Sequence, residues 1–265
     1  MIYGLLLVAA IAVQGPAVSA SRQYVAVKDQ AFLMMPAEVA AGSMAHDLKW
    51  NATSSHLAVR RDVPITDPKQ VEEIFATSAN GGWTRTEIIL FNRKAKTSRV
   101  ALKVDASSGY VSSFSWIGKS QGMVVQVDRA QLESPTEEIY FVSTNGVTKK
   151  ISESNGGRLM LLADPSANYA VIADADPMVA ADTTLKLVDG SGNVRQVPLP
   201  WSTSQMAWEG GRLHLASWRS DPAVKTPYLA LDPSSMRLTP VRDFPSQEPP
   251  EAARPLLTAG ALDMD

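Results

Sequence analysis

Asp47-Leu48-Lys49-Trp50-Asn51-Ala52-Thr53-Ser54-Ser55-His56-Leu57-Ala58-Val59 reads as an apolar strand ending in Trp, a polar turn, and a second apolar strand. The same order returns three times: Val111 to Ile117 with Gly118 to Gly122 and Met123 to Val127; Leu159 to Ala163 with Asp164 to Asn168 and Tyr169 to Ala173; and Gln205 to Trp208 with Glu209 to Arg212 and Leu213 to Trp218. Trp50, Trp116, Leu162 and Trp208 each stand seven residues before Leu57, Met123, Tyr169 and Leu215; the last three units are 46 residues apart and the first lies 66 before the second. A period in the forties built from short apolar runs points to a β-propeller, with one sheet per repeat.

Each unit continues into a second hairpin. Ile88 to Asn92 pairs with Arg99 to Val104, Ile139 to Ser143 with Val147 to Ile151, Leu185 to Val188 with Val194 to Pro198, and Tyr228 to Leu231 with Leu238 to Val241. Asn145-Gly146 and Asp189-Gly190 are strong hairpin signals, because these residues tolerate the backbone angles of tight turns. Two hairpins per unit predict four antiparallel blades near residues 44–104, 109–152, 157–198 and 201–242.

The ends bear on closure. Residues 23–36 read as a hairpin, and 255–264 as a further apolar strand after a Pro-rich stretch. Propellers avoid open edges by completing one blade from both chain ends. The expectation is an all-β propeller of four full blades plus a composite fifth, within one domain over 21–265; the competing reading is a piece of a longer propeller. Residues 1–20 read as a signal peptide: Leu5 to Val13 is apolar and too short to span a bilayer, Val18-Ser19-Ala20 offers small residues for cleavage, and no Lys or Arg precedes the run. A periplasmic or extracellular location follows, with membrane attachment only through an uncleaved signal.

The repeats resemble the WD40-like (PD40) repeats of TolB-type periplasmic propellers. Leu48-Lys49-Trp50-Asn51, His56-Leu57-Ala58-Val59, Phe114-Ser115-Trp116-Ile117-Gly118-Lys119 and Ala163-Asp164-Pro165-Ser166 are similar to parts of that motif, while the Pro-Asp-Gly core of the family turn is missing in every unit. The resemblance implies a non-catalytic exported module for protein contacts, or a propeller attached to a catalytic domain.

Composition excludes several chemistries. A formal net charge of -2 argues against nucleic acid, and the absence of Cys removes disulfides, thiolate metal sites and a Cys nucleophile. The basic groups Arg60-Arg61 and Arg93, Lys94, Lys96, Arg99 read as solvated turn tips and outer strands. His46, His56 and His214 form no ligand-spaced pair, and no Gly-x-Ser-x-Gly elbow occurs. Asp174, Asp176 and Asp182, and the run Asp189 to Asn193, offer oxygen ligands but lack an EF-hand series; turn capping is the favoured role. The repeated Trp positions read as packing between blades. No catalytic residue, metal ligand or cofactor is therefore expected.

One segment breaks the repeat, the insertion Val63 to Trp83 in the first unit. Asp67-Pro68 starts a short helix with Val71, Ile74 and Phe75 on one face. With Asn80-Gly81-Gly82-Trp83 it forms a candidate partner-binding face, represented by Glu72, Phe75 and Trp83. The expected partner is an envelope protein or glycan. The alternative is the gating or substrate-binding propeller portion of a hydrolase or lyase whose catalytic part is absent here or lies in the channel.

Overall fold

The computed structural model describes residues 23–27, 30–34, 44–77, 84–119, 121–129, 136–154, 159–164, 166, 168–174, 184–201, 203–217 and 227–245. The expected leader, Trp83, Asp176, Asp182 and the C-terminal strand at 255–264 lie outside the described residues.

Short amphipathic runs separated by tight turns leave the chain one economical pairing, each strand against the next. A hairpin joins β1 (Gln23–Val27) to β2 (Gln30–Met34). Four antiparallel sheets of four strands follow. Blade 1 comprises β3 (Met44–Trp50), β4 (His56–Pro64), β5 (Thr84–Asn92) and β6 (Thr97–Val104), with helix α1 (Pro68–Thr77) between β4 and β5. Blade 2 comprises β7 (Tyr110–Ile117), β8 (Gly122–Arg129), β9 (Thr136–Ser143) and β10 (Thr148–Glu153). Blade 3 comprises β11 (Leu159–Ala163), β12 (Tyr169–Asp174), β13 (Thr184–Asp189) and β14 (Val194–Pro198). Blade 4 comprises β15 (Thr203–Glu209), β16 (Arg212–Ser217), β17 (Tyr228–Asp232) and β18 (Arg237–Pro240).

Alternation along the strands gives each blade two apolar faces, and the core lies between blades. Ala58, Ile88 and Leu90 of blade 1 meet Phe114, Trp116, Met123 and Val125 of blade 2. Ile117, Val124, Ile139 and Phe141 on the other side of blade 2 meet Leu159, Ala170 and Ile172 of blade 3. Val171, Leu185 and Leu162 of blade 3 meet Leu213, Leu215 and Trp208 of blade 4.

The register corrects the repeat in two units. Trp50 pairs with Leu57 and Trp116 with Met123, as the seven-residue spacing predicts. In blade 3, Asp164 donates its backbone N–H to the Tyr169 carbonyl as Asn51 does to His56, so Ala163, opposite Ala170, holds the Trp position and Leu162 sits one place earlier. In blade 4, Trp208 faces Leu213 and not Leu215, because a tight Gly210-Gly211 turn replaces the longer loop; both glycines have positive φ. The corrected alignment makes sense of two hydrogen bonds. The Trp116 indole N–H donates to the Lys49 carbonyl at 2.8 Å and the Trp208 indole to the Leu162 carbonyl at 3.4 Å. Lys49 and Leu162 each precede their blade's Trp position, so both indoles bond the first strand of the preceding blade at the same place.

A second contact repeats across blades. Arg60 donates to the Val111 carbonyl at 3.3 Å, and Gln126, at the matching position of blade 2, donates to the Leu159 carbonyl at 3.2 Å. First strands bulge between Val111 and Ser113 and between Thr203 and Gln205. The bulge residues Ser112 and Ser204 donate their hydroxyls to carbonyls of the partner strand, Gln126 at 3.4 Å and Ser217 at 2.9 Å.

Blades 2 and 3 touch closely at their turns. A Cβ added to Gly118 or Gly190 would overlap the other glycine's Cα, and a Cβ on Gly192 would meet the Phe141 ring. Gly190→Ala is therefore expected to cost about 2 kcal/mol, because backbone must move. Gly211→Ala, in open space, is expected to cost only about 1 kcal/mol for its left-handed conformation. Urea unfolding of both variants checks the order; equal losses would mean that the two turns do not pack.

Candidate binding rim

The connections from second to third strands place α1 and the ends of β4, β5, β8 and β9 on one side of the molecule. Asp67 caps α1: its carboxylate accepts the Lys69 N–H at 3.0 Å and its carbonyl accepts the Val71 N–H at 3.1 Å. Ile74 is buried, Val71 half-buried, and Glu72 and Glu73 are exposed. The helix is thus anchored by one apolar edge and presents carboxylates to solvent. Glu72 and Phe75 belong to this helix; the Phe75 side chain and Trp83 lie outside the described residues.

Beneath this rim stand two buried carboxylates that sequence reasoning missed. Glu87 of β5 lies opposite Arg61 of β4 and is ion-paired with it, both nearly inaccessible at 3% and 1%. Arg85 donates to the other Glu87 oxygen at 3.0 Å. Glu138 of β9 holds the matching place in blade 2, opposite Val127. Its carboxylate accepts bonds from Arg129, from the Tyr140 hydroxyl at 2.8 Å and from Lys150 at 3.0 Å. Arg129 also donates to Tyr140 at 2.9 Å and to the Ser108 carbonyl at 3.3 Å, tying the network to the connection between blades 1 and 2. The signal was present in Glu87-Ile88-Ile89-Leu90-Phe91 and Glu138-Ile139-Tyr140-Phe141-Val142, where each apolar strand follows a Glu.

Electrostatics favour a clamp over a proton carrier. Burial alone would raise the Glu138 carboxyl, but hydrogen bonds from Tyr140, Lys150 and Arg129 outweigh it and hold the group below the ordinary carboxylate value. Burial and the bond to Glu138 push the Tyr140 hydroxyl up, so it stays a neutral donor. An ionised carboxylate with both oxygens occupied is a poor general base.

The remaining chemistry-bearing residues stay apart. His56 opens β4 of blade 1 beside the β3–β4 turn, 3.0 Å from the Ser55 hydroxyl and 3.2 Å from the Asn92 amide; burial and then Arg99 lower its imidazole. His214 lies in blade 4 with Glu209 at 3.8 Å. The Asp189 carboxylate accepts the backbone N–H groups of Ser191 and Asn193 and the Asn193 amide, at 2.9 to 3.0 Å, so it stabilises its own turn. Among the described residues no three His, Asp or Glu side chains gather as a metal site, and no helix is long and apolar enough to cross a membrane.

The Glu138 network has a defined pH signature. Its folded value is depressed, so its stabilisation is complete above the ordinary value of 4.5 and is lost as pH falls through the folded value. Glu138→Gln is expected to cost about 2 kcal/mol at neutral pH, with the gap to wild type shrinking in acid below that value. Urea unfolding at both pH values checks this; a gap that does not change with pH would contradict an ionic clamp.

No protein-family model and no curated protein sequence matches the chain. Solved structures similar to it are β-propeller proteins. Oligogalacturonate lyase in complex with manganese is 14% identical with a TM-score of 0.43, the match covering 83% of this chain and 61% of that one. TolB from Acinetobacter baumannii is 12% identical with a TM-score of 0.37, covering 83% and 48%. The β-propeller domain of the Trilobed protease from Pyrococcus furiosus, described as having an open velcro topology, is 13% identical with a TM-score of 0.42, covering 71% and 53%. The matches thus span less than two thirds of each of these proteins.

Proposed function

We propose that the chain is an exported, non-catalytic propeller that presents the α1 rim to a protein or glycan partner of the cell envelope. The observation that carries this reading is the insertion itself. Four sheets repeat one plan, and α1 interrupts it between β4 and β5 with Asp67 capping one end, Ile74 holding it down and Glu72 exposed. A helix anchored on a rigid sheet is a pre-organised recognition element, with little ordering entropy to lose on binding. The carboxylates beneath it are occupied by their own ion pairs, which supports binding over catalysis.

Ring closure belongs to the same proposal. Leu57, Val59, Ile89 and Phe91 lie on the face of blade 1 away from blade 2 and are buried, and among the described residues their cluster takes no side chain from another sheet. Ala216 and Ala230 are buried on the face of blade 4 away from blade 3. A composite fifth blade, built from the β1–β2 hairpin and the C-terminal segment, would cover both faces and complete a five-bladed ring.

Replacing residues 66–80 by a short Gly-Ser turn tests the rim. Partner capture from envelope fractions is expected to fall by at least about tenfold while the melting temperature stays close to wild type. Unchanged capture by the deleted protein would end the proposal.

A further inference from the structure

The opposite end of the molecule, formed by the hairpin turns, is electrically divided. Turns within a blade share this end because each joins the first strand to the second or the third to the fourth. In blades 1 and 2 the turn segments 51–56, 93–99, 118–122 and 144–149 contain Arg93, Lys94, Lys96, Arg99, Lys119 and Lys149 and no Asp or Glu. In blades 3 and 4 the matching segments 164–168, 189–193, 209–212 and 232–237 carry Asp164, Asp189, Glu209 and Asp232 together with Arg212 and Arg237, and Arg195 stands where blades 1 and 2 have Arg99 and Lys149. In a chain of net charge -2, these turns of blades 1 and 2 thus carry six cations and no carboxylate, whereas those of blades 3 and 4 mix both signs.

The basic half is one continuous surface. The Arg93 N–H donates to the Ser55 carbonyl at 2.9 Å, joining the two turns of blade 1. Arg99 donates to the Ser143 carbonyl at 3.0 Å and the Thr144 carbonyl at 3.2 Å, joining blade 1 to blade 2. The Thr144 N–H donates to the Gln121 carbonyl at 3.0 Å, joining the two turns of blade 2. Arg99 is held in this framework, whereas Arg93, Lys94, Lys96 and Lys119 are exposed. Among the described residues none of these four lies within ion-pair distance of a carboxylate.

We propose that this half-face docks an acidic peptide segment of a protein partner. Four solvated cations on rigid turns attract a carboxylate-rich chain, whereas the turns of blades 3 and 4, where Asp and Glu stand beside Arg, offer no such excess of positive charge. Peptide is favoured by what stands beside the charges. Val147 is 62% exposed and Val100 41% exposed, on the two hairpins that Arg99 joins, and they offer aliphatic contacts. The other exposed large hydrophobic among the described residues, Tyr110, starts β7 and so lies at the other end, while Trp50 at this end is half-buried against the outer cluster of blade 1, so no fully presented ring stands here to stack on a sugar. This surface is separate from the α1 rim, and its test does not depend on that proposal.

The experiment measures binding of a fluorescent oligoglutamate peptide containing leucine to the full chain at low salt, with a polyuronate and anionic phospholipid vesicles as competitors. The wild-type chain is expected to bind, and to weaken steeply as salt rises. The triple variant Arg93→Gln, Lys94→Gln, Lys119→Gln is expected to lose about tenfold, and each single variant roughly two- to threefold, so the result does not hang on the folding of the triple variant. Lys103→Gln, near the opposite end of β6, is expected to bind as wild type. Three results would each overturn the proposal: no peptide binding at low salt, undiminished binding by the single and triple variants, or polyuronate or vesicles binding as tightly as the peptide.

Discussion

A four-stranded sheet with apolar side chains on both faces cannot stand alone in water, and the whole structure answers that constraint. Blades 2 and 3 each bury one face against the blade before and the other against the blade after. Packing by itself leaves sheets free to slide. The indole bonds from Trp116 to Lys49 and from Trp208 to Leu162 fix how far one first strand sits along the next, and Arg60 and Gln126 repeat that restraint nearer the other end. Blade 3 lacks the indole because Ala163 occupies the Trp position; there Glu137 accepts the Leu159 N–H and the Gln126 amide.

The two ends of the blades then acquire different characters. Turns at one end are built from Asn, Asp and Gly whose side chains bond their own backbone, and the spare positions between them carry the cations of blades 1 and 2. At the other end the connections from second to third strands are longer, and the first of them contains α1. Buried Glu87 and Glu138 are tolerable because each is ion-paired on the sheet that carries it. The rigid sheets thus separate the helical rim from a turn-built end whose part in blades 1 and 2 is basic.

Much of this was legible in the sequence, for local reasons. Strands and turns announce themselves through alternation and through Gly, Asn and Asp, and the four antiparallel sheets follow from them. Register was less legible: a residue count through a turn assumes that turns keep their length, and the Gly210-Gly211 turn is shorter than the loop after Trp50. The slip from Ala163 to Leu162 arose because an apolar residue adjoins the small one that holds the position. Glu87 and Glu138 escaped because a charged residue before an apolar strand ordinarily marks the strand's solvent end; only pairing with Arg61 and Arg129 shows that it is inside. Within the candidate rim, Asp67 and the apolar spacing revealed α1, whereas what it recognises depends on side chains that spacing does not order.

A closed ring requires the outer faces of blades 1 and 4 to be covered by the chain's own ends. The most direct test is thermal unfolding of residues 21–265 beside a chain ending at Asp243, which removes Phe244, packed 6.2 Å from Tyr228, and all that follows. A ring closed by both ends predicts one cooperative transition in the longer chain and a lower, broader one in the shorter. Identical transitions in the two would contradict closure by the C-terminal segment.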